Sequence, residues 1–211
     1  MIANELKRHN YKSKITVISN GVSNNFKKIE VEKPDKLKDK FIILMIGRYS
    51  KEKRQDLIIE AIRKSKYEKN IQLILAGKGP WKEHLKKMSK GLTNKVIFNF
   101  YSQDELLKVI NYSDLYIHAS DAEIEAISCM EAFTCGLVPV ISNNKLSATN
   151  QFALDDRSLF DAGNSESLRE KIEYWIENPE EKKIQSKKYI EYAKQYNIEN
   201  CVKKMEKFFF N

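Results

Sequence analysis

The chain has 211 residues, 42% hydrophobic, 31% charged and 10% aromatic. It is long enough to bury one sizeable core and lies outside the composition of disordered or fibrous chains. Its net charge of +8 suits a phosphate, a nucleic acid or a membrane surface, and equally a lysine-rich solvated face.

Residues 1–14 are polar and basic, with no apolar signal core, and the longest apolar run, 41–46, is far too short to span a bilayer. A cytosolic protein is expected. Cys129, Cys135 and Cys201 form no CxxC or Cys/His pattern, so buried thiols are favoured over disulfides or zinc. Residues 15–26 read as a brief β-like run ending in the Asn20-Gly21 turn, and 27–40, charged and containing Pro34, as a linker.

From Phe41 the pattern alternates. Continuous apolar runs at 41–46, 71–77, 96–100, 115–120 and 137–142 predict buried strands. Between them, Leu57/Ile58/Ala61/Ile62, Trp81/Leu85/Met88, Leu106/Leu107/Ile110 and a central segment ending at Gly136 predict helices. A short strand near 158–162 and a helix on Leu168, Ile172, Trp175 and Ile176, capped near Asn164 and stopped before Pro179, follow. The tail from Glu180 is helical, with Ile198, Val202, Met205 and Phe209 in one stripe. The expected fold is α/β: a doubly wound, Rossmann-like parallel sheet covered on both faces.

In such a sheet ligands bind beyond the carboxyl ends of the strands. After the first strand comes Gly47-Arg48-Tyr49-Ser50-Lys51-Glu52-Lys53-Arg54, with four cations in eight residues. After the second comes Gly77-Lys78-Gly79-Pro80, after the third Tyr101, and after the fourth Glu123 and Glu125 leading into the central helix. Arginine forks, a lysine point charge, glycines that admit a backbone and a helix start together fit a diphosphate. Carboxylates repel phosphate but accept hydroxyl hydrogen bonds, so they suit ribose or sugar. The plain alternatives are surface charges at Arg48 and Lys53, a tight turn at Gly77–Gly79, and helix-start electrostatics at Glu123. Glu131, between apolar Met130, Ala132 and Phe133, needs a partner if buried. His9, His84 and His118 are scattered, and His118 reads as a structural histidine.

Four motifs, VISNGV (17–22), GRYSKEKRQDLIIEAI (47–62), LAGKGP (75–80) and the pair Glu123/Glu131 with its Glu-Ala…Cys-Gly…Pro-Val continuation (131–140), occur in one order. Together they resemble the C-terminal, donor-binding domain of retaining glycosyltransferases with the two-domain GT-B fold, the "group one" family. The resemblance spans about residues 15–180. It implies that Arg48 and Lys53 hold a donor diphosphate, with Gly47, Gly77 and Gly79 shaping the loops. It also implies that Glu131 takes the ribose hydroxyls, that Glu123 meets the sugar, and that Tyr101 lies near the base. Backbone amides of Glu125, Ala126, Ile127 and Ser128 would meet sugar and phosphate. Glu123, Arg48 and Lys53 are the expected catalytic set, with no metal and no cofactor.

This sequence departs from the family where Ile124 and Ala126 replace glycines after the first glutamate. Phe100 replaces one after the third strand, and Arg54, replacing one after the lysine, is expected to add charge near the phosphates. The implied organisation is a hinge or linker at 1–40 from an N-terminal acceptor domain, a nucleotide-sugar domain at 41–180, and a tail at 181–211 whose helix crosses back to that domain. The implied activity is retaining transfer of a hexose, UDP-linked on this reading, to a glycan or glycolipid of a bacterial envelope. Peripheral contact with the inner face of the cell membrane fits the basic charge. A sugar-nucleotide epimerase and a non-catalytic membrane- or partner-docking module stay open. Nucleic acid is not an expected partner, since no basic-aromatic RNA motif or helix-turn-helix pattern is present.

Overall fold

The computed structural model describes residues 6–210. Six strands, β1 (Phe41–Ile46), β2 (Ile71–Ala76), β3 (Ile97–Asn99), β4 (Leu115–His118), β5 (Pro139–Asn143) and β6 (Leu159–Asp161), form one sheet in the order β3-β2-β1-β4-β5-β6. All five pairings are parallel. Each strand is therefore joined to the next by a crossover that covers a sheet face, and β1, β2 and β4 are buried almost throughout. The chain winds outward from β1 to β3, then returns to start β4 on the other side of β1. That reversal leaves a crevice beyond the carboxyl ends of β1 and β4.

The helices are α1 (Gln55–Lys64), α2 (Lys82–Met88), α3 (Gln103–Tyr112), α4 (Ile127–Thr134), α5 (Ser165–Glu177), α6 (Pro179–Ala193) and α7 (Ile198–Phe210). Leu57, Ile58, Ala61 and Ile62 put one face of α1 into the core, as their spacing predicts. A capping box of Ser102 and Glu105 starts α3, and the Asn164 carboxamide oxygen accepts from two amides to start α5. Gly136, at φ +79°, ends α4. α5 packs on α1 and α6 on α4, where Tyr189 is fully buried against Phe133.

Residues 15–26 do not form the expected strand. Only Val22 pairs, accepting from Ile198 and donating to Tyr196 O, because the tail leaves helical backbone only at Asn197, between the 3-10 turn Lys194–Tyr196 and α7. The Ile198, Val202, Met205 and Phe209 stripe is exposed, while Cys201 on the same helix is buried. No helix among the described residues is long and apolar enough to cross a membrane.

Candidate functional site

The loop after β1 is held by the loop after β2. Tyr49 N donates to Lys78 O at 3.0 Å, Trp81 N donates to Tyr49 O at 3.1 Å, and the buried Tyr49 hydroxyl donates to Leu75 O at 2.7 Å. A side chain at Gly77 would place its Cβ 2.0 Å from Gly47 O, and one at Gly79 would lie 2.3 Å from Tyr49 O. Both glycines thus serve the close approach of two loops. At Gly47 a Cβ would meet only Lys53, at 3.8 Å, so that position is open. Gly79→Ala is expected to lower stability by about 2–4 kcal/mol through backbone displacement. Gly47→Ala should leave the melting temperature within a degree or two by scanning calorimetry and act only on ligand affinity.

Beside these loops a cleft of 320 Å³ is lined by Gly47, Arg48, Gly77, Lys78, Phe100 and Tyr101. The Lys78 ammonium sits 4.0 Å from the Phe100 ring centroid, which leaves an exposed aromatic face and a cation at the cleft mouth. Arg48 is exposed, and its backbone oxygen accepts from the Gln55 carboxamide at 2.7 Å. Its guanidinium makes no hydrogen bond or ion pair among the described residues, so five N–H donors stand unengaged on a residue that lines the cleft.

Lys53 lies over Gly47 and is ion-paired with Glu123. The two candidates assigned to opposite ends of a ligand are thus in contact with each other. The Glu123 backbone is fixed by Ala148 N, which donates to its oxygen at 2.8 Å, and by its own amide, which donates to Leu146 O at 3.3 Å. His118 at the end of β4 is buried, with Nε2 3.7 Å from the Glu123 carboxylate and no hydrogen-bond partner on that nitrogen. Burial, aided by Lys53 and opposed by Glu123, pulls its pKa down to about 4, so the ring is neutral at pH 7. A polar chain continues from His118 Nδ1 to the Tyr116 hydroxyl at 3.4 Å, to Ser128 Oγ at 3.1 Å and to Ile46 O at 3.4 Å. It sets the start of α4 against the end of β1.

Arg54 corrects an expectation. It adopts a left-handed conformation (φ 52°), and its guanidinium lies 3.3 Å from both Asp56 and Asp121. Its charge is therefore offset locally and does not add freely to the crevice. Its conformation also gives the physical reason why a glycine suits this place.

At the start of α4, Ala126 is likewise left-handed, at φ 56°, and no side chain caps the helix. The amides of Ile127 and Ser128 at this first turn point out of the helix end. One turn further, Glu131 is half-buried between fully buried Met130 and Ala132. Its carboxylate has no hydrogen bond or ion pair among the described residues, and burial pushes it above the ordinary 4.5. Glu125 shares the loop, but its carboxylate turns to Ser19 and Asn20. Its backbone amide is the part left for the crevice. Tyr101 lines the cleft.

Sequence reasoning placed His118 near the site as a structural histidine but missed its contact with Glu123, and it gave no role of their own to Lys78 or to Phe100 as a cleft wall. The signal for His118 was present, since Tyr116 and His118 share one face of β4 by the two-residue repeat. No group of three or more His, Cys, Asp or Glu able to hold a metal ion occurs among the described residues.

Residues 26–196 match the family described as "Glycosyl transferases group 1". The catalytic domain of cholesterol-alpha-glucosyltransferase from Helicobacter pylori is 45% identical, with a TM-score of 0.72 over 74% of this chain and 99% of that one. Anabaena Alr3699/HepE in complex with UDP-glucose shares the fold at 20% identity, with a TM-score of 0.79 over 92% of this chain and 57% of that one. An uncharacterized glycosyltransferase of Methanocaldococcus jannaschii is 30% identical over 108 residues, which is 50% of this chain and 28% of that protein. The chain thus spans well under two thirds of the curated relative it matches. With its Rossmann-like parallel sheet, its crevice at the β1/β4 reversal and its motifs in register, the chain belongs to the glycosyl transferases group 1 family, as a C-terminal-type half of the GT-B fold.

Proposed function

We propose that this chain is the donor-binding half of a retaining hexosyltransferase that takes a UDP-hexose, glucose first among them, and transfers the sugar to a membrane lipid or glycolipid. The observation that carries this reading is that two groups of the candidate site stand unsatisfied: the guanidinium of Arg48, which lines the cleft, and the half-buried carboxylate of Glu131 on α4. A nucleotide sugar satisfies both groups at once. The 45% identity to a cholesterol-alpha-glucosyltransferase supports glucose and a lipid acceptor, and the fold shared with a UDP-glucose complex supports the donor.

On this reading the base enters the cleft between Phe100 and Tyr101, and the ribose hydroxyls donate to Glu131. The diphosphate meets Arg48, Lys53 and the amides at the start of α4. A diphosphate draws Lys53 away from Glu123, which frees that carboxylate to accept a sugar hydroxyl. The acceptor hydroxyl attacks the anomeric carbon on the face from which the diphosphate leaves, and its proton passes to the departing phosphate oxygen. Charge gathering on that oxygen is stabilised by donors already in place, each worth about 3–4 kcal/mol in such sites. The acceptor lies on a second, N-terminal domain at the cytoplasmic face of the membrane, toward which the +8 charge helps to draw the protein.

Calorimetric titration with UDP, UDP-glucose, GDP-mannose and ADP-glucose tests the donor side. UDP-glucose is expected to bind tightest, and no binding of any UDP compound would overturn the reading. On the acceptor side, the complete enzyme with UDP-glucose and vesicles containing a sterol should yield a glucosylated lipid. Conversion of the nucleotide sugar without any acceptor would identify an epimerase instead.

A further inference from the structure

Glu125 is the second carboxylate of the loop between β4 and α4, and it does not face the crevice. It accepts hydrogen bonds from Ser19 Oγ, from Asn20 N at 2.7 Å and from the Asn20 carboxamide. Ser19 Oγ in turn accepts from Gly21 N at 3.0 Å and lies 3.8 Å from Met130 Sδ on α4. The other end of this segment is fixed to the tail. Val22 N donates to Tyr196 O at 2.7 Å, Ile198 N donates to Val22 O at 3.0 Å, and Asn24 donates to Glu199 at 2.8 Å. Gly21, at φ +80°, has no room for a side chain, since its Cβ would lie 2.7 Å from Ile198 Cα.

The site loop has little else to hold it on that side. Ile124 is 71% exposed and Ile127 41% exposed, so between Glu123 and the first turn of α4 only Ala126 is packed into the core. Polar anchors do the rest: Glu123 through its backbone on Leu146 and Ala148 and its ion pair with Lys53, Ser128 through Tyr116 and Ile46 O, and the Glu125 carboxylate through Ser19 and Asn20. Glu123 and the amides of Ile127 and Ser128 flank Glu125 within three residues. A shift of this loop around a ligand therefore pulls on three hydrogen bonds to residues 19 and 20, and a shift of residues 15–22 moves the loop.

We infer that Glu125 is a positioning residue that links occupancy of the donor site to the placement of residues 15–22, so that the two change together. This rests on the proposed reading that Glu123 and the start of α4 meet the donor. The linkage is reciprocal: a donor that favours one placement of the segment binds more tightly when the segment already holds it. Residues 15–20 are not among those lining the cleft of Arg48 and Tyr101, and their side-chain contacts with the site run to Glu125 and, from Ser19, to Met130 on α4.

Hydrogen exchange read by mass spectrometry on the whole chain, without ligand and with saturating UDP-glucose, tests this. In the wild type, bound UDP-glucose is expected to slow exchange in residues 15–22 by about tenfold. Glu125→Ala at saturating ligand should lose that protection while residues 47–54 and 127–134 remain protected. Glu125→Gln, which keeps one acceptor oxygen, should retain part of it and guards against a variant that merely unfolds. Unmoved exchange at 15–22 in a wild type that binds UDP-glucose, or full protection surviving in Glu125→Ala, overturns the linkage alone. A wild type that binds no UDP-glucose overturns the donor reading and the linkage with it.

Discussion

Replacing Arg48 by alanine is expected to weaken UDP-glucose binding by about 10- to 150-fold, the range set by losing a charge-assisted contact of about 1.5–3 kcal/mol. The melting temperature should not move. Arg48 is exposed, and its side chain makes no hydrogen bond or ion pair among the described residues, so the fold has nothing to lose there. The loss in turnover of the complete enzyme should be larger, about 10²- to 10³-fold, because leaving-group charge is greatest in the transition state. Lys53 offers no such separation. Its removal strips Glu123 of its ion pair and leaves that carboxylate facing His118, so Lys53→Ala mixes a folding effect with a binding effect. Calorimetry and a thermal scan on Arg48→Ala check both halves of the prediction. Affinity within threefold of the wild type would remove Arg48 from the diphosphate site.

The parallel sheet was legible because burial on both faces forces continuous apolar strands, and 41–46 and 71–76 are read almost to the residue. The geometry of the candidate site was legible where one residue type has few other uses: a glycine where two loops touch, as at Gly77 and Gly79, and a glutamate inside an apolar helix, as at Glu131. What escaped was pairing at long range. Lys53 and Glu123 are 70 positions apart, and Glu125 and Asn20 are 105 apart. Periodicity and local chemistry are blind to such contacts, because the sheet order that creates them depends on how strands far apart in sequence come to lie side by side. Residues 15–26 failed for a related reason. Their β-like composition is real, but a strand needs a neighbour with open backbone groups, and the tail supplies one residue of it. Arg54 and Ala126 show the opposite limit. Each carries a left-handed backbone that sequence alone assigns to glycine, and tertiary contacts hold them there regardless.

Glu131→Gln is expected to do two things at once: raise stability at pH 7 and weaken nucleotide binding. The carboxyl is half-buried without a partner among the described residues, and desolvation lifts its pKa above 4.5. The folded protein then holds this proton more tightly than the unfolded chain does. The contribution to stability is complete below the unfolded value and is lost as pH rises through the folded one. At pH 7 the ionised group therefore opposes folding, and an uncharged isostere removes that opposition. Each kcal/mol recovered should appear as about 2–4 °C in melting temperature for a chain of this size, with the gain shrinking as the scan is repeated at lower pH. Binding moves the other way. A carboxylate accepts two ribose hydroxyls through charge-assisted bonds, whereas the amide accepts through one oxygen and turns an N–H₂ toward the other hydroxyl. Affinity for UDP should fall about tenfold or more at pH 7. In the wild type the same affinity should decline as pH drops toward the raised pKa, while in Glu131→Gln it should be flat across that window. A thermal scan and calorimetry at two pH values read all of this, and a variant that is both less stable and equally tight for UDP would show that Glu131 serves the fold and not the ligand.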